Sequence, residues 1–143
     1  MVGSATESLT TKNRIFTEKG ATEMGLDQGN PFIVVPARTE EHLREAYRLR
    51  FLVYCLERGF EEAHLYPSGL FRDCYDRDNP CHWALVQHEP TGIFVGTARM
   101  ITGFPLQCDR FVDTTCLRQA GWGLGEFSAV LICKERMAEV LAH

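Results

Sequence analysis

His82-Trp-Ala-Leu-Val-Gln-His-Glu-Pro-Thr-Gly-Ile-Phe-Val-Gly-Thr-Ala-Arg-Met-Ile101 is the stretch that decides the fold. Its two flanks, His82–Gln87 and Ile93–Ile101, are rich in β-branched, aliphatic and aromatic residues. The Pro90 and Gly92 between them favour a turn, so the pair reads as an antiparallel hairpin. Period-two alternation puts Arg99 on the same face as Ile93, Val95 and Ile101, where an aliphatic residue is expected.

Upstream, Phe32–Val35 is a short apolar run ended by Pro36 and reads as a first strand. Thr39 is a helix N-cap, and Glu40 and Glu41 place negative charge at the positive end of the helix dipole. The helix is expected to run to about Glu57. Leu43, Ala46, Tyr47 and Tyr54 recur on one face, and Arg50 lies in the middle of that stripe. An unpaired buried guanidinium is costly, so Arg50 must either find an acceptor or reach water. Arg58–Pro80 reads as a long loop carrying Asp73, Asp76 and Asp78, and loops of that length are often functional.

Downstream of the hairpin, Thr102–Leu124 reads as irregular, followed by a strand from Glu126 to about Cys133 and a short helix in Lys134–His143. This order predicts an α/β (α+β) domain with a mainly antiparallel sheet and flanking helices over residues 31–143. Residues 1–30, polar and without apolar period, read as a flexible leader.

A chain of 143 residues suits one domain, and 45% hydrophobic with 24% charged residues is ordinary for a soluble globular protein. A net charge of -4 without a basic cluster argues against nucleic acid as the main partner. No run is long enough for a membrane span, and no secretory signal precedes the domain, so a cytoplasmic location is expected. The six cysteines have no CxxC pairing and read as reduced thiols. Cys74, Cys81, His82 and His64 fit no standard zinc spacing, so no metal is expected.

Two arginines on core-facing positions and a carboxylate cluster in the intervening loop are complementary, which predicts that Arg50, Arg99, Asp73 and Asp76 share one buried network. Four ordered motifs then combine: Arg50-Phe-Leu-Val-Tyr54-Cys-Leu-Glu-Arg-Gly-Phe60, Asp73-Cys-Tyr-Asp76, Gly96-Thr-Ala-Arg99-Met-Ile and Glu126-Phe-Ser128. Over about Phe32–Lys134 the chain resembles the GNAT-superfamily acyl-homoserine lactone (autoinducer) synthases. It is closer still to the exosortase-associated acyltransferases and the long-chain N-acyl amino acid synthases. Those families carry E-x-D-x-x-D and E-x-S-R motifs; here Phe71 takes the first acidic position and Ala129 the last arginine. They also continue past this strand with a glycine-rich phosphate-binding turn that does not follow Cys133, so the resemblance implies a GNAT-like fold lacking its C-terminal half.

The resemblance implies direct attack of a small amine or amino acid on an acyl-ACP or acyl-CoA thioester, with no permanently bound cofactor. Glu126 would act as general base, through water, with Ser128 beside it on the catalytic side. Ser128 has no His-Asp pattern that would make it a triad nucleophile. Backbone N–H groups of the last strand would polarise the thioester carbonyl. Arg50, Tyr54, Phe60, Asp73, Asp76 and Arg99 would shape the acceptor side, although Tyr54 and Phe60 taken alone read as core packing. The alternative is a catalytically silent module that binds acyl carrier protein or another partner. Alternating Phe127, Ala129, Leu131 and Cys133, with Val130 and Ile132 on the other face, predict a strand buried on both sides and a homodimer paired along it.

Overall fold

Four strands form one antiparallel sheet in the order β1 (Phe32–Pro36), β2 (Cys81–His88), β3 (Ile93–Ile101) and β4 (Glu126–Ile132). The computed structural model describes residues 29–78 and 80–143, and the expected leader lies almost wholly outside them. These elements belong to one compact unit, Pro31–His143. β2 and β3 pair with Trp83 opposite Arg99 and Leu85 opposite Thr97, joined by the expected turn, in which Gly92 adopts φ +71° and its carbonyl accepts from Gln87 Nε2.

Helix α1 (Glu40–Phe51) starts as the sequence predicts, with the Thr39 hydroxyl accepting from the His42 N–H. Its continuation to Glu57 is a π-helical turn, Leu52–Glu57, in which the Arg58 N–H reaches back five residues to the Val53 carbonyl. Ala46, Leu49 and Val53 bury one face of this helix against Trp83, Leu85, Leu131 and Cys133 of the sheet and its end. Each fully buried aliphatic side chain of this kind contributes about 1.5–3 kcal/mol. Helix α4 (Lys134–Leu141) is tied to the same side: Glu57 Oε1 accepts from the Lys134 N–H at 2.7 Å, and Arg136 pairs with Glu45 at 3.5 Å.

Both expected loops contain one-turn elements too short to show helical periodicity. Arg58–Pro80 holds a 3-10 turn (Ala63–Leu65) and α2 (Cys74–Asp78); Thr102–Leu124 holds a 3-10 turn (Gln107–Arg110) and α3 (Thr115–Gln119). Among the described residues no helix is long and apolar enough to cross a membrane.

Strand β4 corrects the sequence reading. Glu126 faces Ile101 and Ser128 faces Arg99, but the next pairing, Leu131 with Thr97, spends three residues of β4 against two of β3. The extra residue forms a β-bulge, and Ala129 sits in it at φ +51°. The bulge flips the alternation, so Leu131 and Cys133 follow Glu126 and Ser128 onto the core face, while Phe127 does not. The strand is therefore not buried on both sides: Phe127 is 73% and Val130 71% exposed, and Ile132 is exposed as well. Gly96 of β3 permits this close approach, since a Cβ there would lie 2.7 Å from the Leu131 carbonyl oxygen.

Candidate functional site

The Asp73-x-x-Asp76 spacing closes on itself before it meets any arginine. Asp73 Oδ1 accepts from the Asp76 N–H at 3.2 Å and Asp76 Oδ2 accepts from the Asp73 N–H at 2.9 Å, the reciprocal pattern of a capping box at the start of α2. That arrangement fixes both carboxylates toward the sheet. Arg50 from α1 donates Nη1 to Asp76 Oδ2 at 2.7 Å and Nη2 to Asp73 Oδ2 at 2.9 Å. Arg99 from β3 donates Nη1 to Asp73 Oδ1 at 2.8 Å and Asp76 Oδ1 at 2.7 Å, and its Nε to Ser128 Oγ at 2.9 Å. All four carboxylate oxygens are engaged. The exposures are 2% for Arg50, 1% for Arg99, 0% for the Asp76 side chain and 22% for that of Asp73.

Charge balance explains how two guanidinium groups survive at this depth: two cations meet two anions at hydrogen-bond distance. Burial alone pushes the Asp73 carboxyl up, but the hydrogen bonds from Arg99 and Arg50 outweigh it and hold the group at about 2, below its ordinary 3.8. Burial likewise works against the charge on Arg99, and the bonds to Asp73 and Asp76 more than reverse it.

The Arg50 guanidinium also lies 4.5 Å from the Phe71 ring centroid, 5.4 Å from that of Trp83 and 5.6 Å from that of Tyr54. Phe71 thus gives a cation–π contact at the position where the resembling families carry an acid. Arg50 Nε is buried without a hydrogen-bond partner. Tyr54 packs edge-on against Phe71, with ring centroids 5.4 Å apart. Phe60 is 72% exposed and only brushes Tyr54, at 6.2 Å, so it is not the core residue that its own pattern suggests.

Glu126 and Ser128 reach the site from β4. Ser128 Oγ is held by Arg99, next to the bulge at Ala129. Glu126 is half-buried, and its Oε2 accepts from the Cys108 N–H at 3.2 Å. Cys133 is fully buried, and loss of hydration pushes its thiol up to about 11. All six cysteines are unpaired, and among the described residues no group of three or more His, Cys, Asp or Glu could hold a metal ion.

The family model for the acetyltransferase (GNAT) domain matches residues 49–122, just over half of the sequence. The chain belongs to the GNAT family. The match covers Arg50, Tyr54, Phe60, Asp73, Asp76 and Arg99 and stops before Glu126 and Ser128. No curated protein and no solved structure matches the chain. Membership carries an acyltransferase-type function, consistent with a fold of antiparallel strands flanked by helices.

In this GNAT chain the structure gathers Arg50, Asp73, Asp76, Arg99 and Ser128 into one cluster, with Tyr54 over Arg50; Glu126 holds the 3-10 turn and Phe60 lies outside. Three participants escaped the sequence reading. Trp83 faces Arg99 across the β2–β3 ladder, and hairpin register was the available signal. The Cys108 N–H leaves no trace in a side-chain pattern. A cavity of about 290 Å³ between α2 and the 3-10 turn is built from Tyr75, Leu106 and Arg110, among others. A larger groove of about 910 Å³ runs along the outer face of α1 beside Ser68–Leu70, lined by charged residues such as Glu41, Arg44 and Arg48. That groove contains none of the clustered residues and lies on the helix face opposite Ala46 and Leu49, so it is set aside as the reaction site.

Proposed function

We propose that this chain moves a fatty acyl group from an acyl-ACP or acyl-CoA thioester to the amine of a small acceptor in the cytoplasm. The observation that carries this reading is the shared face of Glu126, Ser128 and the Arg99 network, beside the β-bulge of β4. The neutral amine attacks the thioester carbonyl, the C–N bond forms, and the C–S bond breaks. Glu126 takes the amine proton, directly or through water, and the thiolate leaves to be protonated by solvent. Backbone N–H groups of β4 at the bulge would stabilise the oxyanion. The network of Arg50, Asp73, Asp76 and Arg99 shapes the acceptor side, with Tyr54 lining it.

Thioester cleavage coupled to amide formation tests the reading, with the full chain, an acyl-ACP or acyl-CoA and a panel of amines. Glu126→Gln should lower turnover by about 10²–10⁴-fold. Equal turnover by the variant would remove Glu126 from the chemistry. A second reading has its own observation: every oxygen of Asp73 and Asp76 and one of Glu126 is already engaged within the chain. A non-catalytic module would bind acyl carrier protein without cleaving its thioester. Self-association along β4 is supported by the exposed Phe127, Val130 and Ile132. Sedimentation at micromolar concentration should report a dimer that Val130→Lys dissociates; a monomer in both would reject it.

A further inference from the structure

Between β3 and β4 the chain concentrates exposed apolar side chains. Phe104, Phe111, Val112, Leu117 and Trp122 all stand out from this one connection, Phe111 with 87% and Trp122 with 67% of its surface open. No other loop, helix or strand among the described residues exposes more than three large apolar side chains. Concentration of this kind marks an interaction surface, whereas scattered single residues do not.

The connection is held in shape from within. Asp109 accepts from the Leu106 N–H at 2.9 Å, from the Thr114 hydroxyl and from Arg118 at 3.4 Å, and Asp113 accepts from the Thr115 N–H at 2.9 Å. Gly121, at φ +82°, closes α3: its N–H reaches the Arg118 carbonyl at 3.0 Å and the Trp122 N–H reaches that of Leu117 at 3.1 Å, which fixes Trp122 at the helix end. On the inner side Leu106 is buried with Tyr75 and Ile101, and the Tyr75 ring centroid lies 6.0 Å from the Arg99 guanidinium carbon and 5.9 Å from that of Arg110. Asp78 of α2 lines the cavity of about 290 Å³ there with Pro105 and Arg110, and none of the five exposed apolar residues does.

We propose that the β3–β4 connection docks on the surface of a zwitterionic phospholipid bilayer, with Phe111, Val112 and Trp122 entering the acyl boundary and Arg110 and Arg118 on the lipid phosphates. Charge complementarity favours that partner. Both carboxylates of the connection are committed to its own donors, while Arg110 is exposed and has no hydrogen-bond or ion-pair partner among the described residues. Arg118 lies 4.3 Å from the Phe104 ring centroid, an apolar body under a cationic head, as at a membrane–water interface. A protein interface asks for about ten direct hydrogen bonds, and this surface keeps its carboxylate acceptors for itself; a fluid bilayer asks only for apolar burial and guanidinium donors. The net charge of -4 works against a strongly anionic membrane, which leaves the zwitterionic one. None of these residues has a part in the acyl-transfer reading, so docking stands apart from it.

The test uses the full chain with phosphatidylcholine vesicles whose acyl chains are plain or brominated. The sequence has two tryptophans, and Trp83 is buried at 6% exposure, so a quencher inside the bilayer reports on Trp122. Vesicles should shift the emission to shorter wavelength, brominated chains should quench it, and Trp122→Phe should abolish that quenching while the protein still sediments with the vesicles. Phe111→Asp, a change at a side chain in open solvent, should keep the melting profile and lower partitioning at least about tenfold. Phe127→Asp, on the exposed face of β4, should leave partitioning within about twofold. The proposal is overturned if brominated vesicles leave the emission unquenched, if Phe111→Asp partitions like the parent chain, or if Phe127→Asp weakens binding as much as Phe111→Asp does. A chain that ignores vesicles but self-associates at micromolar concentration, and loses that association in Phe111→Asp, would make the surface a protein interface and overturn it as well.

Discussion

Two arginine–aspartate groups reach the ring of Tyr75, and they differ in what remains unsatisfied. In the buried one, Arg50 and Arg99 meet Asp73 and Asp76 with all four carboxylate oxygens accepting. On the cavity rim, Arg110 and Asp78 are exposed, and among the described residues neither side chain has a hydrogen-bond or ion-pair partner. The same side-chain chemistry acts as structure in the first place and as unspent binding capacity in the second. A saturated, neutral cluster holds α1, α2 and β3 together and has little left for a ligand, whereas an unpaired rim costs little while water solvates it.

The sharpest way to break this contrast is to remove one buried anion. Asp76→Asn leaves two buried guanidinium groups facing a single carboxylate, and should cost about 3–5 kcal/mol, read from the urea midpoint. A change under 1 kcal/mol would mean that the cluster is not what holds α2 in place.

Acid attacks the same cluster through Asp73. Its folded pKa, about 2, is depressed below the ordinary 3.8. The stability it contributes is therefore present above about 3.8 and is lost as pH falls toward about 2. Thermal melts between neutral pH and pH 2 should show this loss, and Asp73→Asn should flatten that part of the profile while lowering stability at neutral pH.

Ser128→Ala tests the edge of the cluster by stripping the only hydrogen-bond partner that Arg99 Nε has among the described residues. Leaving that donor buried and unpaired should cost about 1–3 kcal/mol, again by urea denaturation. The smallest effect is expected on the rim: Arg110→Gln should change stability by no more than about 0.5 kcal/mol, and a larger loss would show that Arg110 is structural.

The bulk of the sheet was legible because antiparallel strands repeat every two residues. The hairpin, the buried face of β3 and the position of Arg99 on it follow from local spacing alone. The α1 stripe with Arg50 follows in the same way from the 3.6-residue repeat, and the Thr39 cap from side-chain chemistry. The convergence of Arg50, Asp73, Asp76 and Arg99 was also anticipated, since buried charges of opposite sign must find one another. The one-turn helix that presents the two aspartates was not, because five residues carry too little periodicity to separate it from a loop.

By itself, then, the sequence determined which residues could form strands and helix and which charges had to be paired. Tertiary structure decided the rest. The bulge of β4 exists only in register with β3, where Gly96 leaves room for the Leu131 carbonyl, and it alone settles that Leu131 points inward and Phe127 outward. The stacking of Phe71 and Trp83 on Arg50 depends on three elements meeting, and so does the exposure of Phe60, whose backbone N–H is held by Tyr54 while its ring is left in solvent. Local patterns encode periodicity and chemical type. Which face a residue takes after a register shift, and which donors remain unpaired, are set by contacts between segments far apart in the chain.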